Sequence, residues 1–283
     1  MRDNNEYYTI NSPMLQQPLS STAVIEVEDL VVGYGEVTVL DHVSTSVAAS
    51  EIRVVLGVSG CGKTTLLKAM VGLIAPSHGV VRLFGKEMKD PDSAETKEIL
   101  KKVGILFQNG ALLGSLTVGD NVALPLQMHS TLPKDVVGEI VQLKLAEVDL
   151  PSASSLYPQE LSGGMRKRAA LARALVLDPP LVFCDEPSAG LDPVTAAGLD
   201  DLLLRLRETL GITIVVVTHE LSSIKTIADS VVFLYEGRVH FQGKLSEALA
   251  SREGPLFDFF SRREIRHHTA AADALNFVVE QAL

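Results

Sequence analysis

A run of glycines leads straight into a lysine and two threonines in the segment LGVSGCGKTTLLKAM, Leu56–Met70. Glycine weakens helical order. Yet the stretch is flanked by the apolar strand-like run IRVVL and the helix-like run LLKAMVGLI. The spacing Gly57-x-x-x-x-Gly62-Lys63-Thr64 is the P-loop pattern, a loop that wraps a phosphate chain. Backbone N–H groups converge on the anion because no Cβ blocks approach, and the following helix aims its positive end at the same oxygens. Ser59, Gly60, Cys61 and Thr65 complete the cradle. Lys63 adds a point charge near the β- and γ-phosphates, and Thr64 offers a hydroxyl to Mg²⁺. Two further segments fit this chemistry. LVFCDEP ends in adjacent acids: Asp185 can hold the Mg²⁺ shell and Glu186 can polarise an attacking water as general base. LSGGMRKRAALARAL, Leu161–Leu175, places Ser162, Gly163 and Gly164 at a helix start, a second anion site. One phosphate tail does not need two such loops in one chain, whereas two chains arranged head to tail would use both.

These residues need elements to position them. Val24 onward, VIEVEDLVV alternates Ile25 and Val27 with Glu26 and Glu28, which predicts a half-solvated strand, and VSTSV at Val43–Val47 alternates likewise. RVVLG, LVFCD and ITIVVVTH are continuous apolar runs, as expected of strands covered on both faces. VVRLFG follows a turn at PSHG, and SVVFLYEGRVHFQG reads as two strands about Glu236-Gly237. Ser93–Val103, Thr117–His129 and Pro133–Val148 suit helices. Thr117 with Asp120 resembles a capping box, Pro133 fits a first helical position, and a further helix starts at Ser162. Buried strands separated by helices indicate a parallel sheet, and the helical middle reads as an insertion into it. Residues 1–22, rich in Asn, Gln, Ser and Pro, read as a flexible tail. The segment 251–283 is expected to form a partly helical extension. Within it Phe257, Phe259 and Phe260 are too apolar for a free linker, and AAADALNFVVEQAL can form a helix with one apolar face. That helix could pack on its own chain, its dimer mate or a partner. The pair His267-His268 reads as solvated rather than metal-binding.

Bulk properties narrow the function. Of 283 residues, 46% are hydrophobic, enough for a sizeable core, and the net charge of −10 argues against a nucleic-acid binder, which needs a basic face. Two distant cysteines, Cys61 and Cys184, lack metal-ligand spacing and read as free thiols in a reducing compartment. The polar N-terminus has no apolar signal core, and no apolar run approaches a membrane span, so a cytosolic chain is expected.

In their order along the chain these motifs resemble the nucleotide-binding subunit of ABC transporters, over roughly residues 24–250. The resemblance implies an α/β fold: a P-loop NTPase with a RecA-like parallel sheet, an antiparallel β subdomain, and an inserted α-helical subdomain at about 104–170. It implies ATP hydrolysis with Mg²⁺ in a head-to-tail dimer that sandwiches ATP between one copy's P-loop and the other's Ser162, Gly163 and Gly164. Tyr34 in VVGYGE matches the aromatic that stacks on adenine, and Gln108 in GILFQNG the glutamine that senses Mg²⁺ and water and faces the membrane partner. Asp192 in SAGLDP matches the D-loop, and His219 in VVVTHE the switch histidine at the γ-phosphate. The family's signature often continues with Gln where Met165 stands. LSGGM with its basic cluster, and LFQNGALLGSLTVGDNVALPL upstream, resemble the Mla-type branch, implying phospholipid transport, a separate permease and an MCE-domain partner at the inner membrane. The alternatives are a small-solute importer, a drug exporter, or a soluble ATPase of DNA repair or translation. Leu112, Leu113 and Leu116 read either as a groove receiving a permease helix or as ordinary core.

Overall fold

The computed structural model describes residues 23–88 and 92–262. The N-terminal tail, His267-His268 and the helix expected in the last fourteen residues lie outside the described residues.

The central sheet has six strands: β3 (Ile52–Gly57), β6 (Val103–Leu106), β7 (Leu181–Asp185), β8 (Thr213–Val217), β9 (Ser230–Tyr235) and β10 (Arg238–Lys244). Their spatial order is β10-β9-β3-β8-β7-β6. All neighbours pair in parallel except β10, which runs antiparallel to β9 at one edge. Period-2 alternation splits the interior strands between two cores. Val54, Leu56, Val182, Cys184, Ile214, Val216, Val231 and Phe233 face one side. Val55, Leu181, Phe183, Val215, Val217, Val232 and Leu234 face the other. At roughly 1.5–3 kcal/mol for each large side chain fully buried, these two faces dominate stability. They also explain why the strands read as unbroken apolar runs rather than as alternating ones.

A second sheet, antiparallel, has the order β2-β1-β4-β5, with β1 (Ala23–Tyr34), β2 (Val37–Ala48), β4 (His78–Leu83) and β5 (Lys86–Glu87). Its Ile25, Val27, Leu30, Leu40 and Val43 share one core with helix α1 (Lys63–Met70) and the central sheet. The other face of the central sheet is covered by α3 (Val118–His129), α4 (Lys134–Glu147), α5 (Gly163–Leu175), α6 (Pro193–Leu210) and α7 (Leu221–Ile227). Helix α2 (Ala94–Leu100) lies beside β6, and the short helices α8 (Leu245–Leu249) and α9 (Gly254–Phe260) follow β10.

Several local expectations hold. Thr117 caps α3, accepting from the Asp120 N–H at 3.1 Å and donating to its carboxylate at 2.6 Å. Glu236 and Gly237 both have positive φ, 49° and 75°, the two-residue turn that suits a twisted hairpin. Phe259 packs on Phe233 with ring centroids 5.6 Å apart, so the aromatic run after Gly254 docks on the body of its own chain. Other expectations shift. Pro133 precedes α4 as its cap rather than forming its first turn. The helix expected to reach Val103 stops at Leu100, and Val103 opens β6 instead. Gly104 makes that strand possible: a Cβ there would lie 2.4 Å from the Ala174 carbonyl, so α5 can press against β6 only over a glycine.

Candidate functional site

The chemistry gathers at the carboxyl ends of β3, β7 and β8. The P-loop joins β3 to α1, and Gly62 caps α1 at φ 100°, a left-handed conformation that L-residues with a Cβ resist. A Cβ on Gly57 would fall 2.3 Å from the Leu234 carbonyl and 2.6 Å from the Cys61 sulfur. The loop is therefore as tight against its own floor as glycine allows. Lys63 is 8% exposed, and its Nζ donates to the Gly57 and Val58 carbonyls at 3.0 Å each. Backbone carbonyls rather than a carboxylate hold it, which leaves its charge for an anion lying in the loop. Cys61 is buried under the same loop, and burial pushes its thiol above the ordinary range. Cys184, wholly buried in β7, is pushed up to about 12. Neither is a ready nucleophile at neutral pH.

The Thr64 hydroxyl lies 3.4 Å from Oδ1 of Asp185, the last residue of β7. Burial, and then the neighbouring Glu186, raise the Asp185 carboxyl above its ordinary value, although Thr64 opposes the shift. A hydroxyl beside a buried carboxylate fits Mg²⁺, which takes one or two protein oxygens and completes its shell with phosphate and water. No cluster of three His, Cys, Asp or Glu suited to a metal occurs among the described residues.

Glu186 is the most constrained residue here. Its φ is 45°, and its N–H donates to the Val217 carbonyl at 2.8 Å, so the pairing of β7 with β8 sets its direction. Oε1 lies 2.8 Å from Nδ1 of His219, just beyond β8. Oε2 is buried and has no hydrogen-bond partner among the described residues. An orphaned carboxylate oxygen of this kind is costly unless something arrives to use it. His219 and the P-loop residues Gly57, Val58 and Ser59 open on one cleft of about 450 Å³, closed at its far side by Phe259 and Arg262.

The signature residues form a second assembly. Ser162 caps α5, accepting from the Met165 N–H at 3.2 Å, which leaves the N–H groups of Gly163 and Gly164 to a ligand. A Cβ on Gly164 would sit 2.3 Å from Cγ2 of Thr195, and one on Gly163 3.3 Å from Leu191. The loop thus packs on the start of α6. There Asp192 accepts from the N–H groups of Val194 and Thr195 and from the Thr195 hydroxyl, which hold its carboxyl below the ordinary range. Its charge is committed to capping α6 beside the signature. Met165, where Gln is common, packs its side chain on the core. Gln108 is exposed after β6, and its backbone carbonyl accepts from Lys167. Tyr34 stands apart from both assemblies, half-buried at the end of β1 opposite Val37. The hairpin that carries it reaches the P-loop, since a Cβ on Gly62 would meet Leu40 at 2.6 Å.

Two side chains escaped the sequence. Asn121, fully buried in α3, bonds through its amide to the N–H and carbonyl of Leu113 and to the carbonyls of Leu116 and Thr117. Lys167 lies in the basic cluster after the signature and is 6% exposed. Of the three leucines weighed for a groove, Leu112 packs on the core while Leu113 is 47% exposed.

The sequence profile of the ABC transporter family matches residues 40–189, just over half of the chain. The probable ribonucleotide transport ATP-binding protein mkl of Mycobacterium tuberculosis is 37% identical over 271 residues, covering 94% of this chain and 75% of that protein. The intermembrane phospholipid transport system ATP-binding protein MlaF of Escherichia coli K12 is 38% identical over 232 residues, covering 82% and 86%. Among solved structures, a dimeric post-hydrolysis state of the ATP-binding cassette MJ0796 bound to ADP and Pi superposes with a TM-score of 0.71 at 30% identity, covering 78% of this chain and 98% of that one. CbiO1 of Clostridium perfringens, part of the transporter complex cbiONQ, gives 0.75 at 29% identity, covering 81% and 91%. A phosphate cradle, paired acids and signature loop found in the family's order, with such likeness along most of both chains, leave one conclusion: this chain belongs to the ABC transporter family, as an ATP-binding, ATP-hydrolysing subunit.

Proposed function

We propose that this subunit energises movement of phospholipid through a separate membrane permease, in an assembly with an MCE-type lipid-binding protein. What supports the lipid reading above all is the likeness to MlaF over 82% of the chain. The likeness to mkl, whose name refers to ribonucleotide transport, makes a small-solute system the second reading. No described helix is long and apolar enough to cross a membrane, so a partner has to provide the passage. The chain then sits at the inner membrane's cytoplasmic face, held there by its permease.

The geometry supports the following roles. The P-loop N–H groups of residues 57–65 and Lys63 bind the β- and γ-phosphates, and Tyr34 stacks on the adenine. Thr64, Asp185 and Gln108 would hold Mg²⁺. When bound, the ion withdraws charge from the phosphoryl oxygens. Glu186 accepts the proton of the attacking water through its orphaned oxygen, while His219 holds the other oxygen. The water oxygen bonds to the γ-phosphorus, the bond to the bridging oxygen breaks, and ADP and inorganic phosphate result. Ser162, Gly163 and Gly164 of a second copy, steadied by Asp192, supply N–H groups from across the dimer. Loss of the γ-phosphate removes the anion that both copies share, and they part. The α3–α5 region carries that motion to the permease through the exposed Leu113.

The test is affinity purification from membranes, with mass spectrometry of proteins and lipids. A permease and an MCE-domain protein, with phospholipid carried along and an ATPase rate that responds to phospholipid, are expected. A permease with a solute-binding protein and no lipid response overturns the lipid reading.

A further inference from the structure

The basic residues after the signature have no part in the chemistry above, yet none of them is a free surface charge. Arg166 donates to the Leu161 carbonyl. Arg168 bonds the Val148 and Gly198 carbonyls and Asp149. Arg173, one turn from the end of α5, donates to the Gly110 and Ala111 carbonyls at 2.8 and 2.7 Å. Lys167 is the most deeply placed. Its ammonium donates to the Gln108 carbonyl and, at 3.1 Å, to the Glu186 carbonyl. An amine with four methylenes and this little exposure is expensive to bury, and burial lowers it below the ordinary lysine range, against the opposing field of Asp185 and Glu186. Capping two neutral carbonyls could be left to a serine or a water. A full charge bonded at once to two segments far apart in sequence does something more specific: it fixes them to each other.

We propose that Lys167 is a positioning residue for ATP hydrolysis, tying the backbone of the Gln108 loop to that of the catalytic acid so that both follow the signature helix as one body. The proposal rests on the assignment of Glu186 made above. Glu186 stands in a left-handed conformation at the end of β7, where a small backbone rotation swings the carboxylate out of line. The Glu186 N–H is fixed by the Val217 carbonyl and its carbonyl by Lys167, so both peptide groups around the residue are anchored. The same ammonium, with Arg173 two turns further on, takes the carbonyls of residues 108, 110 and 111. The amino end of α5 bears the loop that meets the other copy's nucleotide. A displacement of α5 on dimer closure is therefore passed to the local base and the Gln108 loop together. Each copy's catalytic acid then senses whether its signature is engaged at the opposite site.

The experiment compares Lys167→Met, Lys167→Arg, Gln108→Ala and the double variant Lys167→Met/Gln108→Ala in steady-state ATPase assays. It adds equilibrium ATP binding and amide exchange over residues 108–111. Lys167→Met is expected to lower kcat by at least about tenfold, with KM and ATP affinity within about twofold of wild type, the pattern of a lost transition-state interaction. Exchange over 108–111 should quicken. Arginine, which can donate to both carbonyls, should restore kcat to within about threefold. The double variant should be no slower than the slower single variant by more than about twofold, since both act through one unit. A kcat for Lys167→Met within twofold of wild type overturns the proposal. So do a parallel loss of ATP affinity, an arginine variant as slow as the methionine one, or fold-losses that multiply. If Lys167→Met does not stay folded, Lys167→Gln, which keeps two N–H donors on a shorter, uncharged side chain, is judged on the same readouts. Glu186→Gln is run alongside: full turnover in that variant refutes the assignment of the base itself, whereas its inactivity beside a normal Lys167→Met refutes only the tie.

Discussion

The P-loop and the signature loop are built from the same materials, glycines before a helix, and end up differently equipped. Around the P-loop the fold collects a lysine, a hydroxyl, two acids and a histidine from three separate segments, and leaves one acid oxygen with no partner among the described residues. Around the signature, side chains serve the scaffold: Ser162 caps its own helix and Asp192 caps the next. One loop has chemistry and the other has only bare N–H groups. On the function proposed above, the difference means that a single chain holds one reactive half and one passive half, and that the passive half serves another copy.

The severest test of that division is Glu186→Gln. The amide cannot take the water's proton, so turnover should fall by about 10²–10⁴-fold. ATP binding persists, and size-exclusion chromatography with ATP and Mg²⁺ should show an accumulating dimer. A monomer under those conditions breaks the picture of shared nucleotide. A mixing experiment sharpens it. Ser162→Asp puts a negative charge where the phosphate belongs and should be inactive alone, as should Glu186→Gln. In a two-fold dimer of one of each, one site has both lesions and the other has none. Equimolar mixing should therefore recover on the order of a quarter of wild-type turnover by random pairing. No recovery means that both loops serve a site within one chain.

A smaller effect separates stability from function at the reactive half. The Asp185 carboxyl is raised in the fold, so the fold prefers its protonated form. The stability it allows is greatest below the ordinary carboxylate value and declines as pH rises through the interval up to the raised one. At neutral pH the ionised group is a cost. Asp185→Asn should then raise the melting temperature, by about 2–4 °C for each kcal/mol relieved, while Mg²⁺-dependent hydrolysis is lost. Differential scanning calorimetry at pH 7 and at pH 4 checks the sign, because the gain should shrink at the lower pH.

The motifs were legible because each is local. The glycine spacing of residues 57–64, the acids after an apolar strand and the Ser-Gly-Gly helix start are all complete within a few residues. The antiparallel hairpin at Glu236-Gly237 was legible for the same reason. What the sequence did not show are relations across the fold. Glu186 meets His219 only because β7 and β8 are neighbours, an order that no run of residues encodes by itself. Strand β6 was hidden by its length of four residues and by a glycine whose purpose is to admit α5. Leu112 and Leu113 have the same side chain and opposite surroundings, and the choice is made by the amide of Asn121 eight residues on. Lys167 looked like one more charge in a basic run, because burial of a lysine leaves no mark on its neighbours in sequence.

That single asparagine amide has a further consequence. By holding the peptide groups of Leu113, Leu116 and Thr117 from beneath, Asn121 decides the path of the loop without appearing on its surface. Outline and content are thereby inherited separately: Leu113, Gly114 and Ser115 can be exchanged for other residues and the new ones will be displayed along the same contour. On the proposed permease contact through Leu113, rewriting which membrane protein this subunit serves becomes a matter of lettering on a fixed signboard, while loss of one hidden side chain would take down the board.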